Sequence, residues 1–336
     1  MSGFNQAKRI LERISERPSP EEVLGLGLGD IDRAAEELKY PVYDLGPFFV
    51  LQKSALGLLE NKLKKLFSEH EESKPTYLVF GRDGAMIYDA LFTVAMKENL
   101  VERIKLVTLS KPQADEWRRE ADLTKKNKIR DGILWYLAQE SITSESLAKG
   151  NFVFIDSGNV GSMFNFVLEI CGTSREAMGN RLAGYLISRA DASPYKELGW
   201  WAEPQDEGFF RGFYREFVKN WDDLEDWPVN VDEMYLWGSA KKLNWALASY
   251  LHIQPKYHRR TAVVEKVGER WMSLPKEKDR RYPLCDKEPW EPSNITEPIW
   301  HPNHSTAIDP VASTKLQIMT VQYFSQPEAR RNVLRV

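Results

Sequence analysis

Two strand–loop–helix units between Tyr77 and Arg189 constrain this chain more than any other feature of its sequence. In the first, the apolar run Tyr77-Leu78-Val79-Phe80 passes through Gly81-Arg82-Asp83-Gly84 into Ala85 to Met96, where Met86, Ala90, Leu91 and Val94 recur at helical spacing. In the second, Phe152-Val153-Phe154-Ile155 passes through Asp156-Ser157-Gly158-Asn159-Val160-Gly161-Ser162 into a helix from about Met163, with Phe164, Val167, Leu168 and Cys171 on one face. Short apolar strands followed by glycine-containing turns and helices are the mark of parallel βαβ units, whose ligands lie at the carboxyl ends of the strands. Both loops are therefore expected to open onto the same edge of one sheet.

The surrounding sequence extends the pattern. Ile104 to Leu109 reads as a strand ending at Ser110-Lys111-Pro112, Ile133 to Leu137 and Ile142 to Leu147 read as helices crossing back over the sheet, and Leu182 to Ile187 reads as a further strand. The alternation predicts an α/β fold with a doubly wound, mostly parallel sheet at residues 75–192. Ahead of it, residues 1–74 read as a helical N-terminal segment. An amphipathic helix over 4–17 ends at Pro18, Ser19-Pro20-Glu21-Glu22 has the cap, proline and acidic first turn of a helix start, and further helices follow at 31–38 and 48–67. Gly25, Gly27 and Gly29 have no strand before them, so they do not form a nucleotide loop. Residues 193–336 read as a Trp-rich helical and irregular C-terminal extension, since seven of the 11 tryptophans lie between Trp200 and Trp271.

Charge and cysteine content exclude some functions. With 46 basic and 49 acidic residues the net charge is −3, which argues against whole-molecule attraction to nucleic acid or to an anionic membrane. The two cysteines, Cys171 and Cys285, supply neither a disulfide framework nor a metal cluster. No run of 18 apolar residues occurs and the N-terminus lacks the apolar core of a signal peptide, so a cytoplasmic protein without a membrane span is expected.

The loop from Asp156 to Ser162 has the groups that an anion needs. Gly158 and Gly161 allow tight turns, the following helix presents free N–H groups, and Ser157 and Ser162 add hydroxyls around Asn159 and Val160. Asp156 could accept hydrogen bonds from sugar hydroxyls or hold Mg²⁺ through water. At the neighbouring loop Arg82 can grip phosphate bidentately beside Asp83 and Gly84. These groups suit a phosphorylated sugar or nucleotide. In the competing account the glycines merely shape a strand-to-helix turn that Asp156 caps. No GxxxxGK[ST] sequence is present, which argues against a Walker-type NTPase.

Leu45-Gly46-Pro47, Phe80-Gly81-Arg82-Asp83-Gly84, Thr108-Leu109-Ser110-Lys111, Ile155 to Ser162 and the strand to Tyr185 together resemble a module of large haloacid-dehalogenase-type proteins of bacterial polysaccharide gene clusters. The resemblance covers roughly residues 40–190, and the catalytic domain that precedes the module in those proteins has no counterpart in this sequence. The two loops are also similar to those of type I phosphoribosyltransferases. That resemblance implies a phosphoribosyltransferase-like core in which Arg82, Asp83 and Gly84 form the diphosphate loop, Asp156 and residues 157–162 hold ribose and phosphate, and Lys111 ends the strand between them in sequence. The second loop departs from that family by having one acidic residue instead of an adjacent pair, and Ser162 instead of threonine. Both departures bear on ribose and Mg²⁺ binding. A dehalogenase-type phosphatase is disfavoured because Gly81 stands where the nucleophilic aspartate belongs, and hydrogen cannot replace a carboxylate in covalent phosphoryl transfer.

Outside the core, Arg118, Arg119, Lys125, Lys126, Lys128 and Arg130 read as a solvated helix face, and Lys256-Tyr257-His258-Arg259-Arg260 as a surface basic cluster. The aromatic run Trp200 to Trp227, interleaved with Arg211, Arg215 and Lys219, reads as core in preference to a stacking platform. His301, His304 and Asp309 lack a third strong metal ligand at fixed spacing. Three functions follow. The first is a glycosyl- or phosphoribosyl-transferring enzyme with Asp156, Arg82 and Asp83 at its centre. The second is a catalytically silent ligand- or partner-binding module. The third is a nucleic-acid-modifying enzyme resting on the basic stretches.

Overall fold

The computed structural model describes residues 2–13, 17–40, 46–81, 84–96, 100–156, 161–186, 193–197, 263–274 and 310–334. These fall into two compact units. Residues 2–67 join 310–334 in a helical unit, whereas 68–197 join 263–274 in an α/β unit.

The helical unit contains α1 (Gly3–Glu12), α2 (Pro20–Val23), α3 (Leu28–Glu37), most of α4 (Gly46–His70), α11 (Pro310–Ser325) and α12 (Pro327–Leu334). Ser19 and Glu22 close α2 with the reciprocal capping box that their spacing predicts. Gly27 caps α3, as a helix start and not as a nucleotide loop. Ala7, Ile10 and Leu11 of α1 pack with Ile31, Ala34 and Ala35 of α3 and with Val311, Ile318 and Val321 of α11. In α4, Leu56, Leu59, Leu63 and Leu66 are buried at alternating three- and four-residue spacing.

In the α/β unit, β1 (Thr76–Phe80), β2 (Ile104–Val107), β3 (Phe152–Asp156), β4 (Leu182–Leu186) and the two-residue β5 (Lys196–Glu197) form one sheet in the order β2-β1-β3-β4-β5. Every neighbouring pair is parallel. Chain order and strand order together define the winding. From β1 the chain passes through α5 (Ala85–Ala95) to β2 on one side, then crosses through α6 (Lys111–Arg119), α7 (Leu123–Gln139) and α8 (Ser144–Lys149) to β3 on the other side of β1. Right-handed crossovers then put α5 and α6–α8 on opposite faces. The core agrees: Leu78, Phe80, Phe152, Phe154, Leu182 and Leu186, alternate residues of their strands, pack with α6, α7 and α9 (Ser162–Ile170), while α5 takes no part in that cluster. Covering on both faces is why Tyr77 to Phe80 and Phe152 to Ile155 are continuous apolar runs. The short α10 (Arg175–Met178), capped by Ser174, links α9 to β4.

An antiparallel hairpin, β6 (Val263–Val267) and β7 (Arg270–Leu274), belongs to this unit although it lies far along the chain. Trp271, one of the clustered tryptophans, packs on the α/β core, with its ring near Gly132 of α7. The strand expected to reach Leu109 ends at Val107. The Thr108 amide instead donates to Tyr136 Oη at 2.8 Å, and the Ser110 amide donates to Gln113 Oε1 at 2.7 Å, so side chains end the ladder.

Candidate functional site at the sheet switch point

The sheet order reverses between β1 and β3, which pair directly with Val79 opposite Ile155. In an open α/β sheet, such a reversal makes the loops at the carboxyl ends of the two strands diverge and leaves a crevice between them. The 81–84 and 156–162 loops follow these two adjacent strands, as expected. β2, which precedes Lys111, lies on the far side of β1. Three successive strand ends therefore bring Lys111, Gly84, Asp156, Gly161 and Ser162 to one edge of the sheet. Arg82, Asp83, Ser157, Gly158, Asn159 and Val160 lie outside the described residues, as do the 256–260 cluster, the aromatic run at 200–227, and His301, His304 and Asp309.

Asp156 is the last residue of β3, half-buried and opposite Leu186 of β4. Lys111 is exposed at the first position of α6. Ser162 opens α9 after Gly161, and Gly84 opens α5. Two of the loop glycines have steric causes. A Cβ at Gly84 would come within 2.6 Å of the Phe80 carbonyl oxygen and of Val79 Cγ1, so the tight turn out of β1 excludes any side chain there. Gly161 has φ of +71°, in the left-handed region, and a Cβ on it would lie 2.4 Å from the Tyr195 ring. The competing account of the loop glycines as turn-formers thus holds at Gly161.

What distinguishes α5 and α9 is how they begin. The helices α1, α2, α3, α6, α7, α8 and α10 all start from an extended cap residue, with ψ between 111° and 166°. In five of them the cap side chain accepts from a first-turn amide, namely Ser2, Ser19, Asp122, Thr143 and Ser174, whereas in α3 and α6 the Asp30 and Gln113 side chains accept from the amide of the cap residue itself. The cap of α5 is instead a glycine in the right-handed region, and that of α9 a glycine in the left-handed region. Their third helical positions are Ile87 and Phe164, which cannot reach back as a capping box requires. The first-turn amides of these two helices have no intrahelical acceptors. Both helices begin at the switch point, and the positive ends of their dipoles meet there.

Among the described residues, no group of three or more His, Cys, Asp or Glu could hold a metal ion. The expected Mg²⁺ would have Asp156 as its carboxylate from these residues, an arrangement that suits a cation carried largely on a ligand's phosphate oxygens. No helix among the described residues is long and apolar enough to cross a membrane.

The basic run over 118–130 is partly consumed by tertiary contacts. Arg118 Nη2 lies 3.0 Å from Glu169 Oε2, Lys126 Nζ stands 4.9 Å from the Trp117 ring centroid, and Arg130 Nε donates to the Ile170 carbonyl at 3.3 Å. Sequence reasoning missed two groups at this edge. One is the network of Thr108, Gln113, Tyr136 and Ser273 that fixes the β2–α6 turn. The other is Tyr195, wedged between Gly161 and Gly184. Gly184 carried the signal for the second, because a glycine inside a strand marks a close approach by another group.

The chain matches no family model, no curated protein and no solved structure.

Proposed function

We propose that this protein binds a phosphorylated sugar or nucleotide in the crevice between β1 and β3, as a phosphoribosyltransferase-like protein that transfers a glycosyl or phosphoribosyl group. The observation that carries the proposal is that two glycine-started helices, with no capping side chain among the described residues, follow the adjacent strands at which the strand order reverses. Bare first-turn amides and converging helix dipoles recognise an anion of phosphate size without any cationic side chain. In this reading Arg82 and the amides at the start of α5 take the diphosphate, and Ser162 with the amides at the start of α9 takes a second phosphate.

The residues then have distinct parts in transfer. The bond from the anomeric carbon to the diphosphate oxygen breaks with its electron pair leaving on the diphosphate, while an acceptor forms the new bond to that carbon. Arg82 and the loop amides stabilise the charge gathering on the leaving group. Asp156 accepts hydrogen bonds from the sugar hydroxyls and offsets the positive charge developing at the anomeric carbon. Asp83 and Lys111 flank the leaving group from the β1 and β2 ends. Mg²⁺ bound to the diphosphate would supply further charge neutralisation.

The test is calorimetric titration of phosphoribosyl diphosphate, a nucleoside diphosphate sugar and inorganic pyrophosphate, with and without Mg²⁺, into wild type and Asp156→Asn. A ligand at 100 times its dissociation constant raises stability by about 2.7 kcal/mol, so thermal shifts provide an independent reading. The phosphosugar is expected to bind wild type and to lose affinity in Asp156→Asn, with pyrophosphate less affected. Equal binding of the phosphosugar by both proteins removes Asp156 from the site, and no binding of any of the three removes the proposal. The single carboxylate of the 156–162 loop favours a second reading, a binding module without turnover. It is told apart by ligand binding with no release of pyrophosphate across a panel of acceptors.

A further inference from the structure

Tyr195 sits just before the two-residue strand β5, yet only 3% of it is exposed. Its ring is wedged between two glycines. A Cβ at Gly161 would lie 2.4 Å from Tyr195 Cδ2, and a Cβ at Gly184 would lie 2.3 Å from Tyr195 Cδ1, so both edges of the ring occupy space that other residues would need. The ring meets Phe164 of α9 edge to face with centroids 4.9 Å apart, and its hydroxyl donates to Asn165 Oδ1 at 2.5 Å. The Arg175 guanidinium lies 5.6 Å from the ring centroid.

Tyr195 therefore touches the cap residue, the third residue and the fourth residue of α9. On the other face of β5, Lys196 holds the strand in place. Its Nζ lies 5.5 Å from the Tyr185 ring centroid and 3.8 Å from Glu69 Oε2. A strand of two residues has too few ladder bonds to hold itself, so these side chains fix it from both sides.

We infer that Tyr195 is a positioning residue for the amino end of α9, setting the place and direction of its first-turn amides. The inference rests on the ligand site proposed above for its functional meaning, but its geometric part stands separately. The ring leaves no room for a Cβ at Gly161 or Gly184, and at Gly161 the left-handed φ adds to that requirement. Tyr195 is thereby coupled to the half of the proposed anion site that is built on α9.

The experiment combines hydrogen exchange read by mass spectrometry with pyrophosphate titration, on the full chain. The variants are Tyr195→Phe, Tyr195→Leu, Tyr195→Ala, Gly184→Ala and the double variant Tyr195→Ala with Gly184→Ala. Exchange over residues 161–166 is expected to rise about tenfold in Tyr195→Ala and Tyr195→Leu while residues 84–90 stay at the wild-type rate, and Tyr195→Phe is expected to restore most of the protection. Gly184→Ala should speed exchange in the wild-type background and have no further effect once the ring is gone. The pyrophosphate dissociation constant should rise about tenfold in Tyr195→Ala and stay near wild type in Tyr195→Phe.

Unchanged exchange at 161–166 in both Tyr195→Ala and Tyr195→Leu overturns the inference. So does an equal effect of Gly184→Ala in the two backgrounds, or a rise spread evenly over the α/β unit. If exchange responds as expected but wild type binds no pyrophosphate, the ligand site fails and the packing role of Tyr195 stands. If pyrophosphate binds wild type and Tyr195→Ala equally while exchange changes, the ligand site stands and the positioning role fails.

Discussion

Ser273→Ala should loosen the β6–β7 hairpin where it meets the β2–α6 turn, and the structure allows the cost to be worked out. Ser273 Oγ donates to the Thr108 carbonyl at 2.9 Å and accepts from Gln113 Nε2 at 2.9 Å. Gln113 is 2% exposed, so its amide cannot turn to water when the hydroxyl is removed. Two net hydrogen bonds at about 0.5–1.5 kcal/mol each, together with one stranded buried donor at about 1–3 kcal/mol, give a loss of about 2–6 kcal/mol. The loss should be local, because the bonds join β7 to the β2–α6 turn. Hydrogen exchange is the suitable assay, since a chain of two units does not license a two-state unfolding fit. Protection of residues 108–114 and 270–274 should fall by at least tenfold, which corresponds to about 1.4 kcal/mol. Adding Gln113→Leu should return part of the loss by removing the stranded amide. A change below about threefold in those segments, or strict additivity in the double variant, would refute the reasoning.

Two further perturbations have definite directions. The single proton of the Tyr185 hydroxyl goes to Glu69 Oε2 at 2.6 Å, so the oxygen accepts from His70 Nε2–H at 2.9 Å. Burial pushes the His70 pKa below its ordinary 6.5, with Lys196 adding to the shift and Glu69 opposing it. The folded state then binds fewer protons than the unfolded chain between that depressed value and 6.5. Stability therefore rises with pH across the window and is lost as pH falls through it. His70→Gln should flatten that part of the stability profile, and an unaltered slope between pH 5 and 7 would count against it. In the helical unit, Lys315 is 5% exposed and paired with Asp32. Asp32→Asn, which leaves a buried ammonium without its counter-charge, should lower the melting temperature more than Lys315→Met, which removes the charge and keeps the stem. The reverse order would show that the pair contributes little.

The elements of the sheet's carboxyl edge were legible because each rests on a local pattern. Continuous apolar runs at 77–80 and 152–155 specify strands covered on both faces, and the glycines after them specify tight turns. The Ser19-Pro20-Glu21-Glu22 start was equally plain, since a capping box is closed by residues three apart. Strand order was not legible beyond the expectation of a shared edge, because pairing of β1 with both β2 and β3 depends on crossovers and not on any residue. The hairpin carried its own signal in the alternation around Gly268, whose φ is +60°. Its docking did not, because the contacts are far apart in sequence, with Ser273 bonded to Thr108 165 residues away and Trp271 to Gln139 132 residues away. Lys126 shows the same limit. In sequence it belongs to a charged face, yet in space its ammonium rests on Trp117.

The arrangement of helix starts also has an energetic consequence. An N-cap side chain stabilises a helix by about 0.5–2 kcal/mol, and five of the described helices use one. α5 and α9 forgo that contribution, and the backbone conformations of Gly84 and Gly161 show that a serine at either position would not recover it. An extended cap residue is needed for its side chain to turn back onto the first-turn amides, and Gly84 has ψ of −2° while Gly161 has ψ of 30°. The steric contacts at both positions would resist the substitution besides. A helix start that the side chain of its cap residue cannot close needs another acceptor for its first-turn amides. Under the proposed function, an anion bound between two such starts on adjacent parallel strands would return to the fold the stabilisation that the missing caps withhold.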